Sequence, residues 1–147
     1  IEPQGDSMKR ILVPVDGSAG ALRALRHAAA HAPRGTELQL VNVQPAMPLY
    51  GMVRAYLRVP QYKSACGALA KKALDPALRL ARRAGVAHKT HVLFGEAGET
   101  LADAARRLKC GAIVMGTRGQ GAVGNLVLGS VATRVVHLAK VPVTLVK

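Results

Sequence analysis

The chain has 147 residues, the length of one domain able to bury a sizeable core. Half of its residues are hydrophobic, with one Phe and no Trp, so Ala, Val and Leu must build the interior and stacking on nucleic-acid bases finds little support. Lys plus Arg number 21 against 8 Asp plus Glu, and a net charge of +13 draws nucleotides, nucleic acid or anionic membranes without choosing among them. No acid follows Asp103, while Arg106, Arg107, Lys109, Arg118, Arg134, Lys140 and Lys147 do.

No apolar run approaches the roughly 20 residues of a membrane-spanning helix, and the N-terminus lacks the basic start and apolar core of a secretory signal. Residues 1–7 read as a tail or remnant outside the fold, and residues 8–147 as a single domain. Cys66 and Cys110 fit reduced packing residues of a cytoplasmic protein better than a disulfide framework.

Ile11 to Val15 is a continuous apolar run, the pattern of a strand buried on both faces. Asp16-Gly17-Ser18 ends it, with Ser18 the expected N-cap of the next helix. There Leu22, Leu25, Ala29 and Ala32 recur at helical spacing with Arg23 and Arg26 facing away, and Pro33-Arg34-Gly35 is the stop. Leu38 to Val43 reads as the second strand. Residues 44–59 read as a long loop with room for a short helical piece.

Gln61 to Ala84 is helical, with Leu69, Ala73, Ala77, Leu80 and Ala84 near one face and a kink expected at Pro76. Ala87 to Phe94 is the third strand, Gly95 to Gly98 a tight loop, and Glu99 to Leu108 a helix with acids in its first turn. Ala112 to Met115 is the fourth strand, Ser130 to Leu138 the last helix and Val141 to Val146 the fifth strand. Alternating strands and helices predict an α/β fold, an open doubly wound five-stranded parallel sheet with helices on both faces. Ligands of such sheets bind at the carboxyl ends of the strands, where the winding reverses. In the order 3-2-1-4-5 the reversal lies between the first and fourth strands, so Asp16 and Gly116 meet at one crevice.

Between the fourth strand and the last helix, five glycines fall within residues 116–129. Such a backbone can turn sharply and approach a ligand closely, and the helix that follows offers free N–H groups to an anion. Gly119 to Gly124 matches G-x-G-x-x-G, but no acid stands about 20 residues on to hold a ribose. Gly124 to Ser130 resembles a Walker A loop without its lysine, which argues against ordinary P-loop hydrolysis.

The spacing that does fit is Gly116-x2-Gly119-x9-Gly129-Ser130, which resembles the nucleotide-binding signature of the universal stress protein family. Ile11 to Ser18 resembles the family's opening strand with its Asp, and Gly129 to Ala132 and Val141 to Val143 resemble its closing helix and strand. The resemblance implies a Rossmann-like fold of the adenine nucleotide alpha hydrolase type and membership of the ATP-binding subgroup. It implies adenine near Val15, Val43 and Met115, with Pro14 in the same contact set, and Asp16 on the ribose. It further implies phosphates wrapped by the backbone of Gly116, Gly119, Gly129, Ser130 and Val131, with the Ser130 hydroxyl adding a bond. The family often carries basic residues at the positions of Gln120 and near Asn125, and Arg118 is the cation available here to compensate. ATP with Mg2+ is the implied ligand, and a homodimer through strand 141–146 the implied assembly. That strand also reads as an apolar edge that invites pairing, with Pro142 at its start.

Plainer readings stand beside these. Asp16 fits ordinary Asp-Gly-Ser turn chemistry, Met115 fits the core, and Arg118 fits a solvated loop cation. His27 and His31, four apart, could share a helix face but lack a third metal ligand, and His88 and His91 fall on opposite faces of a strand. The leading expectation is a nucleotide-responsive regulatory module that binds ATP. The alternatives are a slow ATP hydrolase or adenylate-handling enzyme, and a basic binder of nucleic acid or membrane surfaces.

Overall fold

A computed structural model describes residues 9–46, 59–119 and 128–147. Among these residues the chain runs β1 (Arg10–Pro14), α1 (Ala19–His31), β2 (Glu37–Gln44), α2 (Val59–Ala84), β3 (Ala87–Phe94), α3 (Ala97–Arg107), β4 (Ala112–Gly116), α4 (Ser130–Leu138) and β5 (Val143–Val146). The strands form one parallel sheet in the order β3-β2-β1-β4-β5. This is the expected architecture. The apolar run at Ile11 is explained by its place: β1 lies at the centre, paired with β2 on one side and β4 on the other. Leu12 and Val13 are fully buried on opposite faces of it.

Two cores result. On one face α1 and α2 pack Ala24, Leu25, Leu74, Ala77 and Ala81 against Ile11, Val13, Leu38 and Leu40. On the other, α3 and α4 pack Leu101, Ala104, Ala105, Ala132 and Val135 against Leu12, Val41, Ile113 and Met115. Each fully buried Leu, Ile or Val contributes roughly 1.5–3 kcal/mol of transfer free energy. Both cysteines are free, buried thiols; Cys110 joins the second core, and burial pushes its thiol up to about 11, so it stays protonated and serves packing. No helix among the described residues is long and apolar enough to cross a membrane.

The helix faces differ from expectation. In α1 the buried stripe is Ala21, Ala24, Leu25 and Ala28, with Leu22 and Ala29 only half-buried. In α2 it is Cys66, Ala70, Leu74, Ala77 and Ala81, while Leu69 is 59% exposed and Ala84 is exposed. Both helices carry Ala and Leu around much of their circumference, so periodicity left several arcs nearly equal. The small residues win because they let two neighbouring helices lie close to one sheet face. The α2 helix continues through Pro76. Helix α3 begins at Ala97, two residues earlier than expected, and Val141 and Pro142 precede β5 rather than start it. Most of the long loop expected at 44–59 lies outside the described residues.

Candidate functional site

The winding reverses between β1 and β4, and a cavity of about 280 Å³ opens at the carboxyl ends of these strands. Toward β2 its wall is apolar: Val41 and Val43 from β2, Ala97 and Leu101 from α3, with Pro14 and Met115 from the two central strands. Toward α4 it is backbone-rich and polar: Asp16, Ser18, Gly116 to Gly119, and Gly129 to Val131. A flat apolar moiety and an anionic moiety could thus be held at once.

At Gly116, Gly119 and Gly129 a side chain would meet a close neighbour. A Cβ on Gly116 would stand 3.0 Å from the Gly20 carbonyl carbon, and one on Gly20 would stand 2.8 Å from the Arg118 oxygen. The first turn of α1 therefore docks directly on the loop. A Cβ on Gly119 would fall 2.5 Å from Asp16 Oδ2, and one on Gly129 would press on the Thr117 oxygen at 3.3 Å. Two backbone bonds pin the loop ends: Gly129 N–H donates to Thr117 O at 2.7 Å, and Thr117 N–H donates to Val146 O at 3.1 Å. The spacing of Gly116, Gly119 and Gly129 thus brings the two ends of the loop together beside Asp16. Gln120, Gly121, Gly124 and Asn125 lie outside the described residues.

Asp16 does two things. Its Oδ1 accepts from Ser18 N–H at 2.9 Å and from the Ser18 hydroxyl at 2.5 Å. This closes the turn through Gly17, whose φ of 86° suits glycine. Ser18 in turn caps α1, its Oγ accepting from Ala21 N–H at 3.2 Å. The same Asp16 side chain lines the cavity. The turn chemistry and the place at the switch point are therefore combined in one residue.

The N-terminus of α4 is finished differently. Its N-cap is Gly129, which supplies no side-chain hydrogen bond, and its first turn holds no acid. Ser130, Val131 and Ala132, whose N–H groups open the helix, all line the cavity. Unpartnered helix amides and the positive end of the helix dipole favour an anion at this wall.

Of the sequence-derived candidates, Pro14, Asp16, Val43, Met115, Gly116, Arg118, Gly119, Gly129, Ser130 and Val131 come together around this one cavity. Val15 does not. The strand pleat sends its side chain to the α1/α2 core with Ile11 and Val13, where it is 2% exposed. Val41 occupies the wall instead. Sequence reasoning also missed Ser18, Ala21, Ala97, Leu101, Thr117 and Ala132. Two signals were present: Val41 shares the period-2 face of Val43, and Ala97 and Leu101 are a helical i, i+4 pair.

The histidines fall elsewhere. His27 and His31 stack with ring centroids 4.2 Å apart, and a His31 ring nitrogen bonds the His27 carbonyl. A His91 ring nitrogen pairs with Gln39 Oε1 at 2.7 Å, and burial, then the Lys89 charge, lower its pKa. No three His, Cys, Asp or Glu side chains among the described residues are grouped to hold a metal.

Comparison with known proteins agrees with this fold. The model of the universal stress protein family matches residues 8–147. A universal stress protein of Thermus aquaticus is 37% identical over 145 residues, covering 95% of this chain and 98% of the relative. One of Methanocaldococcus jannaschii is 31% identical over 142 residues, covering 95% of this chain and 82% of the relative. The solved universal stress protein of Archaeoglobus fulgidus in complex with dAMP is 29% identical, with a TM-score of 0.68 over 94% of this chain and 97% of that one.

Proposed function

The chain belongs to the universal stress protein family, and we propose that it is a cytoplasmic, ATP-binding regulatory module whose nucleotide lies in the cavity between β1 and β4. The observation that carries this reading is the uncapped α4 N-terminus opening on that cavity. The dAMP bound by the Archaeoglobus relative supports an adenine nucleotide as the ligand class.

Adenine fits the apolar wall of Val41, Val43, Ala97, Leu101 and Met115. Asp16, at the strand end between the two walls, suits a ribose hydroxyl. The N–H groups of Ser130 and Val131 suit the phosphates, with the Ser130 hydroxyl and Arg118 beside them. The described wall offers no carboxylate beyond the ribose-facing Asp16, so Mg2+ would take its ligands from phosphate oxygens and water, donors it prefers. Asp16 and Arg118 are the ionisable side chains on that wall, and Asp16 Oδ1 is already engaged by Ser18. This favours holding the nucleotide over turning it over.

Calorimetric titration of the chain with ATP tests the reading. Binding is expected, and Gly119→Val, whose side chain must displace the Asp16 carboxylate, weakens it at least tenfold; absent binding, or equal binding by the variant, sinks the assignment. The exposed β5 edge, with Leu145 37% and Val136 of the neighbouring α4 46% exposed, supports a homodimer through strand 141–146. A dimer mass is expected by light scattering at micromolar concentration, and a monomer mass excludes this assembly.

A further inference from the structure

The cavity leaves the positive charge of the chain unexplained, and that charge is distributed unevenly. On the α3/α4 layer the cations are largely answered: Arg106 and Arg107 bond Asp103 at 2.5 and 2.8 Å, and Arg134 bonds Glu99 at 2.6 Å. Helices α1 and α2 lie together on the other face of the sheet and contain one acid between them, Asp75, which takes Lys71 at 2.6 Å. Arg26 of α1 and Lys72, Arg79, Arg82 and Arg83 of α2 are exposed there, with no acid among the described residues bonded to them.

These side chains form a row because the buried stripe of α2 runs through Ala70, Leu74, Ala77 and Ala81. Lys72, Arg79 and Arg83 fall opposite that stripe, at helical steps of 7 and 4 residues. From Lys72 to Arg83 the row spans roughly 16 Å of helix axis. A rigid helix carrying cations along that length meets several phosphates of a duplex, which bears a charge about every 1.7 Å of its axis.

We propose that the outward face of α2, with Arg26 of α1 beside it, docks on a nucleic-acid duplex through its phosphates without reading sequence. Two other anionic partners fit less well. Single strands want aromatic platforms, and the one aromatic on these helices, Tyr62, has its hydroxyl bonded to the Pro45 carbonyl. A membrane surface wants an inserted apolar face, whereas the apolar stripe of α2 is inside the core and, among the described side chains, Leu69 is the large apolar one left exposed on either helix.

The test is fluorescence anisotropy of the full chain with labelled 20-base-pair duplexes of two unrelated sequences, titrated between 50 and 200 mM salt. Five phosphate contacts predict a log–log salt slope near −4.5, a loss of about 500-fold in affinity over that range, and no sequence preference. The triple variant Lys72→Gln, Arg79→Gln, Arg83→Gln should reduce the slope by about 2.7. A charge-matched triple on the other layer, Arg106→Gln, Arg107→Gln, Lys109→Gln, should change it by less than 1.

Equal losses in the two triples reduce the effect to net charge and overturn the proposal. So does displacement of the duplex by saturating ATP, which would put the DNA phosphates in the cavity. Absent duplex binding at 50 mM salt overturns it as well, as does tighter binding to phosphatidylserine vesicles that depends on the same three residues. Asp75→Asn removes the acid and leaves the helix chemistry intact, so it should steepen the slope by about 0.9; an unchanged slope counts against the face even if the α2 triple does not fold. ATP titration of each variant separates this surface from the nucleotide site, because substitutions on α2 should leave that binding unchanged.

Discussion

Helices α3 and α4 pack side by side on one face of the sheet, and their N-termini are finished in opposite ways. The start of α3 is satisfied from within: Glu96 accepts from Gly98 N–H at 3.0 Å and from Glu99 N–H at 2.7 Å. Gly98 lies so close to α4 that a Cβ there would stand 2.3 Å from Arg134 Cγ, and Arg134 itself reaches across to Glu99. The start of α4 has a glycine cap, no first-turn acid and a cavity in front of it. A helix start that serves packing takes its anion from its own sequence. One that serves a ligand leaves the position open, at the cost of a less stable isolated end.

The sharpest way to break this contrast is to give α4 the anion that α3 has. Gly129 sits at φ −71° and ψ 164°, which any residue adopts, and the Thr117 oxygen need yield only a few tenths of an ångström to a Cβ there, so Gly129→Asp can cap α4 from within. Its carboxylate would compete with phosphate for the same N–H groups. We expect ATP affinity to fall about ten- to hundredfold, the worth of a charge-assisted hydrogen bond, while stability moves by only a few tenths of a kcal/mol. Titration and urea denaturation of the same variant measure both numbers, and unchanged affinity would show that the α4 amides do not hold the ligand.

The reverse substitution acts on stability alone. Glu96→Ala removes the α3 cap and should cost about 0.5–1 kcal/mol, the low end of the capping range because the carboxylate is exposed. ATP affinity should change less than threefold. A smaller effect follows with pH. The Glu99 N–H, then the Gly98 N–H, hold the Glu96 carboxyl below its ordinary value. A depressed pKa stabilises the fold above the unfolded value and loses that contribution as pH falls through the folded one. The stability gap between wild type and Glu96→Ala should therefore be full at pH 6 and shrink below about pH 4. A gap that stays constant into acid would mean that the uncharged carboxyl caps α3 equally well.

Most of the sheet was legible because its signals are local. The central strand is apolar without alternation, and a parallel strand covered on both faces can be nothing else. Ser18 was legible as a cap, and α4 was bounded correctly, because caps depend on neighbours within a turn. The face of α2 was not legible. Leu69, Leu74, Leu78 and Leu80 offer rival stripes within one helix, and burial of Leu74 rather than Leu69 depends on where α1 lies. The place of the Val15 side chain was not legible for a related reason: an unbroken apolar strand does not reveal which of its faces meets which layer.

The amino-acid order by itself determined the alternation of elements, the identity of the glycine loop and the surplus of positive charge, since each follows from composition or from spacing within a few residues. Only the tertiary structure decided what the glycines are for. Gly116 is small because Gly20 of another element lies against it, Gly119 because Asp16 does, and Gly129 because Thr117 closes the loop onto it. It also decided that Lys72, Arg79 and Arg83 fall opposite the α2 core stripe, with the neighbouring Asp75 bonded to Lys71. The Gly116–Gly20 and Gly119–Asp16 contacts join residues about a hundred positions apart, and no local pattern encodes a distance that only the packing of the whole sheet sets.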